Sequence, residues 1–223
     1  MIIAERKPMD EILGFIEGKG KVLLIGCRGC VTVCNTGGTK EVEILASLLR
    51  LSREKAKNPL SLDELTLERQ CDPEYMDELS ELMDGRYDAV LSMACPIGPQ
   101  FIKGRYPHEK VYPILNTTFL GGALAHGVWA EFCQACGNCV IHLFGGLCPI
   151  SRCAKSLLNG PCGGSAGGKC EVSKEIDCVW QLIVERIMAE GRMEEFLGMD
   201  LVKDWRTSRD GGPRKMHKEE LVK

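Results

Sequence analysis

No apolar run in this chain approaches the length of a membrane span. The amino terminus, MIIAERKPMDEILGFIEGKG, is charged and broken up, without the continuous apolar stretch of a secretion signal. An excess of one charge is missing too. The formal net charge is −3, far from the strong basic surface that nucleic-acid binding usually needs. Gly26 and Gly29 lack the third glycine of a dinucleotide fingerprint. No Ser/His/Asp or Cys/His set has local support, and no carboxylate pair stands above the general scatter of acids. These absences point away from a membrane, a nucleic acid and a catalytic centre of the chain's own. They leave the cytoplasm as the expected location.

Cysteine, in contrast, is abundant: 13 in 223 residues. In a reducing compartment so many thiols read as metal or redox ligands rather than disulfides, and an odd count weakens a disulfide framework further. A hydrophobic content of 44% is enough for a real core.

The first half of the chain alternates strand and helix signals. KVLLIGC (21–27) reads as a buried strand. Thr39 caps a helix with Val42, Leu45, Leu48 and Leu49 at helical spacing. LSLDELTLERQC (60–71) gives a linker and second strand, and Asp72–Pro73 starts a helix with Met76, Leu79, Leu82 and Met83 on its apolar face. YDAVLSMAC (87–95) and KVYPILNTT (110–118) are the third and fourth strands. The expected fold class is α/β, a parallel sheet layered with helices. Cys27, Cys71 and Cys95 then end three successive strands. Ligands of open parallel sheets bind at the carboxyl ends of their strands. Those thiols, with Cys30 and Cys34 in the first strand–helix turn, can therefore share one crevice.

From about residue 128 neither period persists. A Cys/Gly-rich metal-binding segment follows, in which ligands rather than a core are expected to organise the chain, then a helix within 174–197 with Val179, Leu182, Ile183 and Ile187 as its stripe. The domain reading is an α/β domain over 1–127, the cysteine-rich segment and helix over 128–197, and a polar tail, expected to be mobile, over 198–223.

Cys133-x2-Cys136-x2-Cys139 opens like the bacterial ferredoxin run, whose closely spaced thiolates wrap a [4Fe–4S] cube. Cys148, followed by Pro149, Cys153 and Cys162 are the candidates for a fourth ligand. Cys27, Cys30 and Cys34, completed by Cys95 or Cys71, suit a second cluster or a tetrahedral zinc. Cys153, Cys162, Cys170 and Cys178 could also make a third, zinc site or be inert thiols.

CQACGNC (133–139), the stretch GGLCPISRCAKSLLNGPCGGSAGGKCEV and the DCVW segment resemble the methylenetetrahydrofolate reductase C-terminal family. GCRGCVTVCNTGG and LSMACP resemble its amino-terminal half, so the likeness runs over about residues 20–197. The resemblance implies an iron–sulfur accessory subunit, sometimes with zinc, and not the catalytic barrel. Its implied partners are a flavin-containing methylenetetrahydrofolate reductase catalytic subunit, which it would feed with electrons, and an upstream electron donor protein. It supports Cys133, Cys136 and Cys139 as ligands of one [4Fe–4S] cluster, and Cys27, Cys30, Cys34 and Cys95 less firmly as a second metal set. The alternative reading is a zinc-stapled scaffold that positions a partner and carries no electrons.

Overall fold

The computed structural model describes residues 1–199 and 201–219. They divide into two compact units: Met1–Phe119 with Ala125–Trp129, and Leu120–Leu124 with the chain from Ala130 onward.

The first unit is built on a four-stranded parallel sheet. Its strands are β2 (Lys21–Cys27), β3 (Ser61–Leu67), β4 (Ala89–Met93) and β5 (Val111–Pro113), in the order β3-β2-β4-β5. A central parallel strand is covered on both faces and reads as a continuous apolar run. In β2, all of Val22 to Cys27 is buried, and so is all of β4. Alternate side chains feed opposite layers. Val22 and Leu24 join a core with Ile12, Val42, Leu45 and Leu49, whereas Leu23 and Ile25 join one with Met76, Leu79, Val90 and Ile102.

The first of those layers is supplied by the helices α1 (Met9–Phe15), α2 (Cys30–Val33) and α3 (Thr39–Lys55). In α3 the buried face is Val42, Leu45, Ala46, Leu49 and Arg53, and Leu48 lies outside it. The helix starts one residue earlier than a Thr39 cap implies. Gly38 is the cap, and its N–H donates to the Glu41 carboxylate at 3.0 Å. Buried Arg53 ties the far end down, donating to the carbonyls of Ile16, Lys19 and Asn58. The opposite layer holds α4 (Ile97–Arg105) and residues Pro73–Leu79. The latter form a 3-10 helix rather than the α-helix expected, although Asp72 caps it and Met76 and Leu79 are buried as the pattern requires.

The expected fourth strand is two. Ile114 is the crossing point: its N–H donates to Ser92 of β4, and its carbonyl accepts from Lys7. Beyond it, β6 (Leu115–Ala125) belongs to a three-stranded sheet with β1 (Ile2–Arg6) and β7 (Val128–Cys133), in the order β1-β6-β7.

The second unit has a small core of its own, contrary to the expectation that ligands alone organise this segment. Phe144, Leu147, Val179, Trp180, Ile183 and Ile187 form it, packed by Leu143, Leu158, Phe196 and Leu201. Phe144 meets the Trp180 ring edge-on at 5.5 Å and Phe196 at 6.3 Å. Helix α5 (Val179–Ala189) supplies four of these residues at helical spacing, and α6 (Met193–Leu197) follows after Gly191. The Trp180 N–H donates to the Leu157 carbonyl at 3.1 Å, which satisfies the one polar atom its burial brings inside. No helix among the described residues is long and apolar enough to cross a membrane.

Candidate metal centres

In the first unit, parallel register sets the strand tips side by side. Cys27 stands opposite Leu67 of β3, and Gly26 opposite Met93 of β4. Cys71 follows β3 by four residues and Cys95 follows β4 by two. The three thiols are electrostatic neighbours. Burial pushes the Cys71 thiol above the ordinary range, and the adjacent Cys27 and Cys95 push it further. Cys71 is nonetheless exposed as a residue.

Cys30 opens α2 and is half-buried. Cys34 is set apart. Its buried sulfur lies 3.2 Å from Thr36 Oγ1, 3.7 Å from the Val31 carbonyl oxygen and 3.9 Å from that of Ala4. The turn between β2 and α3 is packed closely enough to fix these positions. The Cys27 N–H donates to the Gly37 carbonyl at 2.8 Å, and a β-carbon at Gly26 would come within 2.5 Å of Val42.

A buried amide that the sequence reading missed completes this end of the sheet. Gln70, fully buried next to Cys71, donates from Nε2 to the carbonyls of Ile25 at 2.8 Å and Gly26 at 2.9 Å. Its Oε1 accepts from Ser92 Oγ at 2.6 Å. One side chain thus ties the ends of β2 and β4 to the segment that carries Cys71. No local period marks such a residue; only the fold reveals it.

In the second unit, Cys133 ends β7, and Cys136 and Cys139 follow in an exposed loop. Ala135 at φ 53° and Gly137 at φ 86° curl the backbone in the left-handed region, and the Ala135 N–H donates to Cys133 Sγ at 3.2 Å. Cys148 is half-buried and accepts at sulfur from the Ser151 N–H at 3.4 Å. Cys153 and Cys178 rest against the small core. Cys162 is exposed beside Gly163, and Cys170 is half-buried, its N–H bonded to the Ile176 carbonyl. Lys155 pairs with Glu171, and Arg28 in the first unit faces Glu68 at 3.9 Å.

All 13 cysteines are free thiols. Among the described residues, no three His, Cys, Asp or Glu side chains gather around one point as a single metal ion requires. A cube differs from a single ion in that its thiolates bind separate irons. The donor chemistry of the second unit suits such a group: reduced sulfur ligands, two of them already receiving backbone N–H bonds of the kind that tune iron–sulfur centres. The first unit brings Cys27, Cys71 and Cys95 into electrostatic reach of one another without gathering them around a point, and in ligand type alone they suit a thiophilic metal.

Residues 112–206 match the family model described as methylene-tetrahydrofolate reductase C terminal. The resemblance to that family holds over this stretch. The matched residues carry all eight cysteines of the second unit and none of the five in the first. No curated protein and no solved structure matches the chain at a significant level.

Proposed function

We propose that the chain is the iron–sulfur accessory subunit of a two-subunit methylenetetrahydrofolate reductase. It would pass electrons from a donor protein in the cytoplasm to the flavin of a separate catalytic subunit. The observation that carries this reading is the Cys133–Cys139 loop. It has ferredoxin-like spacing, an N–H bond to its first sulfur, and a place inside the family match.

In this reading Cys133, Cys136 and Cys139 hold three corners of a [4Fe–4S] cluster. Cys148 is the preferred fourth ligand over Cys153 and Cys162, because its sulfur already accepts a backbone N–H. Cys27, Cys71 and Cys95 hold the other centre with Cys30, as a second cluster or as zinc. Cys34 stays outside it, since its sulfur is engaged with Thr36 and backbone oxygens. When bound, a cluster supplies reversible one-electron transfer. The chain's residues supply thiolates, N–H donors and a partly shielded setting, which together set the potential.

The test is reconstitution with the flavin subunit. The reduced chain should bleach the partner's flavin, and Cys136→Ala should abolish that transfer while leaving the two proteins associated. A partner that is fully active with its natural donor in the absence of this chain would refute the reading. A colourless, zinc-only chain that still binds the partner would establish the scaffold instead.

A further inference from the structure

The segment from Leu201 to Arg214, expected from its composition to be a polar tail, closes on the Cys133–Cys139 loop. Lys203 Nζ donates to the Cys136 carbonyl at 3.3 Å. Thr207 Oγ1 accepts from the Asn138 N–H at 3.0 Å and has its one proton placed between the carbonyls of Cys136 and Asp204, each at 3.3 Å. Arg214 Nη1 donates to the Ala135 carbonyl at 2.9 Å and also to the carbonyl of Thr207. Three carriers of the strap therefore hold residues 135, 136 and 138 of the loop. Gly137 leaves room for it: a β-carbon there would run into the Thr207 side chain.

Lys203 is the telling residue. It is only 4% exposed. Its other partners are the Asp204 carbonyl at 3.4 Å and the face of the Trp205 ring at 4.9 Å. The Asp204 carboxylate feels the Lys203 charge but is bound to Arg206 at 3.0 Å, and among the described residues no carboxylate lies within ion-pair distance of Lys203. Burying an ammonium without a directly paired counter-charge is costly. A cluster held by thiolates is anionic and would lie beside it.

We propose that residues 201–214 are a built part of the Cys133–Cys139 centre. Thr207 and Arg214 hold the ligand loop in its curled form. Lys203 supplies the positive charge that balances the bound group and favours its reduced, more negative state. This rests on the iron–sulfur reading above. Thr207, Arg214 and Lys203 are positioning and charge-setting residues rather than ligands.

The experiment uses the full chain, purified without oxygen, as wild type, Thr207→Val, Thr207→Ser, Lys203→Met and Lys203→Arg. Thr207→Val should speed iron loss to a chelator by roughly fivefold, the scale of one lost hydrogen bond, and Thr207→Ser should restore the wild-type rate. Lys203→Met should move the midpoint potential, read by EPR-monitored titration, to lower values, and Lys203→Arg should bring it back. Unchanged rates and potentials in an iron-loaded chain would overturn the proposal. A wild-type chain that takes up no iron would refute the functional reading instead. In that case the strap's hold is read from iodoacetamide labelling of Cys136 in the iron-free chain. Faster labelling in Thr207→Val supports the strap, and equal labelling overturns it.

Discussion

The two units place thiols by opposite means. In the first, Cys27, Cys71 and Cys95 sit at or just beyond the ends of parallel strands, so the sheet's hydrogen-bond register sets their spacing. In the second, Cys133, Cys136 and Cys139 ride on a curled, exposed loop, held by one N–H···S bond to Cys133 and by the strap from Lys203 to Arg214. The first arrangement is anchored by a two-sided core. The second leans on a core of six buried apolar residues and on contacts made across a long sequence separation.

The largest expected effect separates the centres outright. Cys136→Ala should remove about four irons per chain, the content of one cube, and leave any metal of the first unit in place. Loss of all metal in that variant would show that the two sets are not independent. Next comes the second core. Phe144→Ala should cost about 3–5 kcal/mol, seen in calorimetry as a lower melting transition for the cysteine-rich unit while the parallel-sheet unit melts as before. A single shifted transition would mean the units unfold together.

Gln70→Leu sharpens the contrast from the other side. It leaves Ser92 and two strand-end carbonyls without their partner, at a cost of about 1–3 kcal/mol. It should weaken metal retention in the first unit and leave the EPR signal of the second unchanged. The smallest effect is Tyr87→Phe, which removes a 2.7 Å hydrogen bond to Asp63 and should cost about 1 kcal/mol. Burial, then that bond, raises the Tyr87 phenol to about 12. Its folded value exceeds the ordinary phenol value, near 10, so its stabilisation is fully present below about pH 10. It fades as pH rises towards 12, and denaturant titrations of the Phe variant should lack that alkaline loss.

Much of the first unit is legible in the sequence because its signals are local. KVLLIGC announces a buried strand that ends on Cys27, and Asp72–Pro73 a helical start, whereas Cys71 and Cys95 lie four and two residues beyond their strands rather than ending them. The exceptions have physical causes. Residues 73–79 satisfy the apolar spacing of an α-helix but wind as a 3-10 helix. One apparent strand is divided between two sheets at Ile114, which bonds to both. The spacing of Cys34 from Cys30 promises a ligand, yet its sulfur turns to Thr36 and nearby carbonyls. In the second unit Val179, Ile183 and Ile187 were readable as a stripe, but their partners Phe144 and Leu147 lie more than thirty residues earlier, outside any window of periodicity. Gln70, Lys203 and Thr207 were invisible for the same reason. Each acts on residues that are distant in sequence, and a polar residue in a polar stretch gives no sign of it.

The most direct test of the account is the metal content of the chain, isolated under anaerobic conditions, measured as iron, zinc and acid-labile sulfide with an EPR spectrum after dithionite reduction. The account predicts iron and sulfide in equal amounts, at least four of each per chain, with a reduced-cluster signal that disappears in Cys136→Ala. Zinc alone, with no sulfide and no signal after reconstitution, would contradict it and leave the thiols as structural staples.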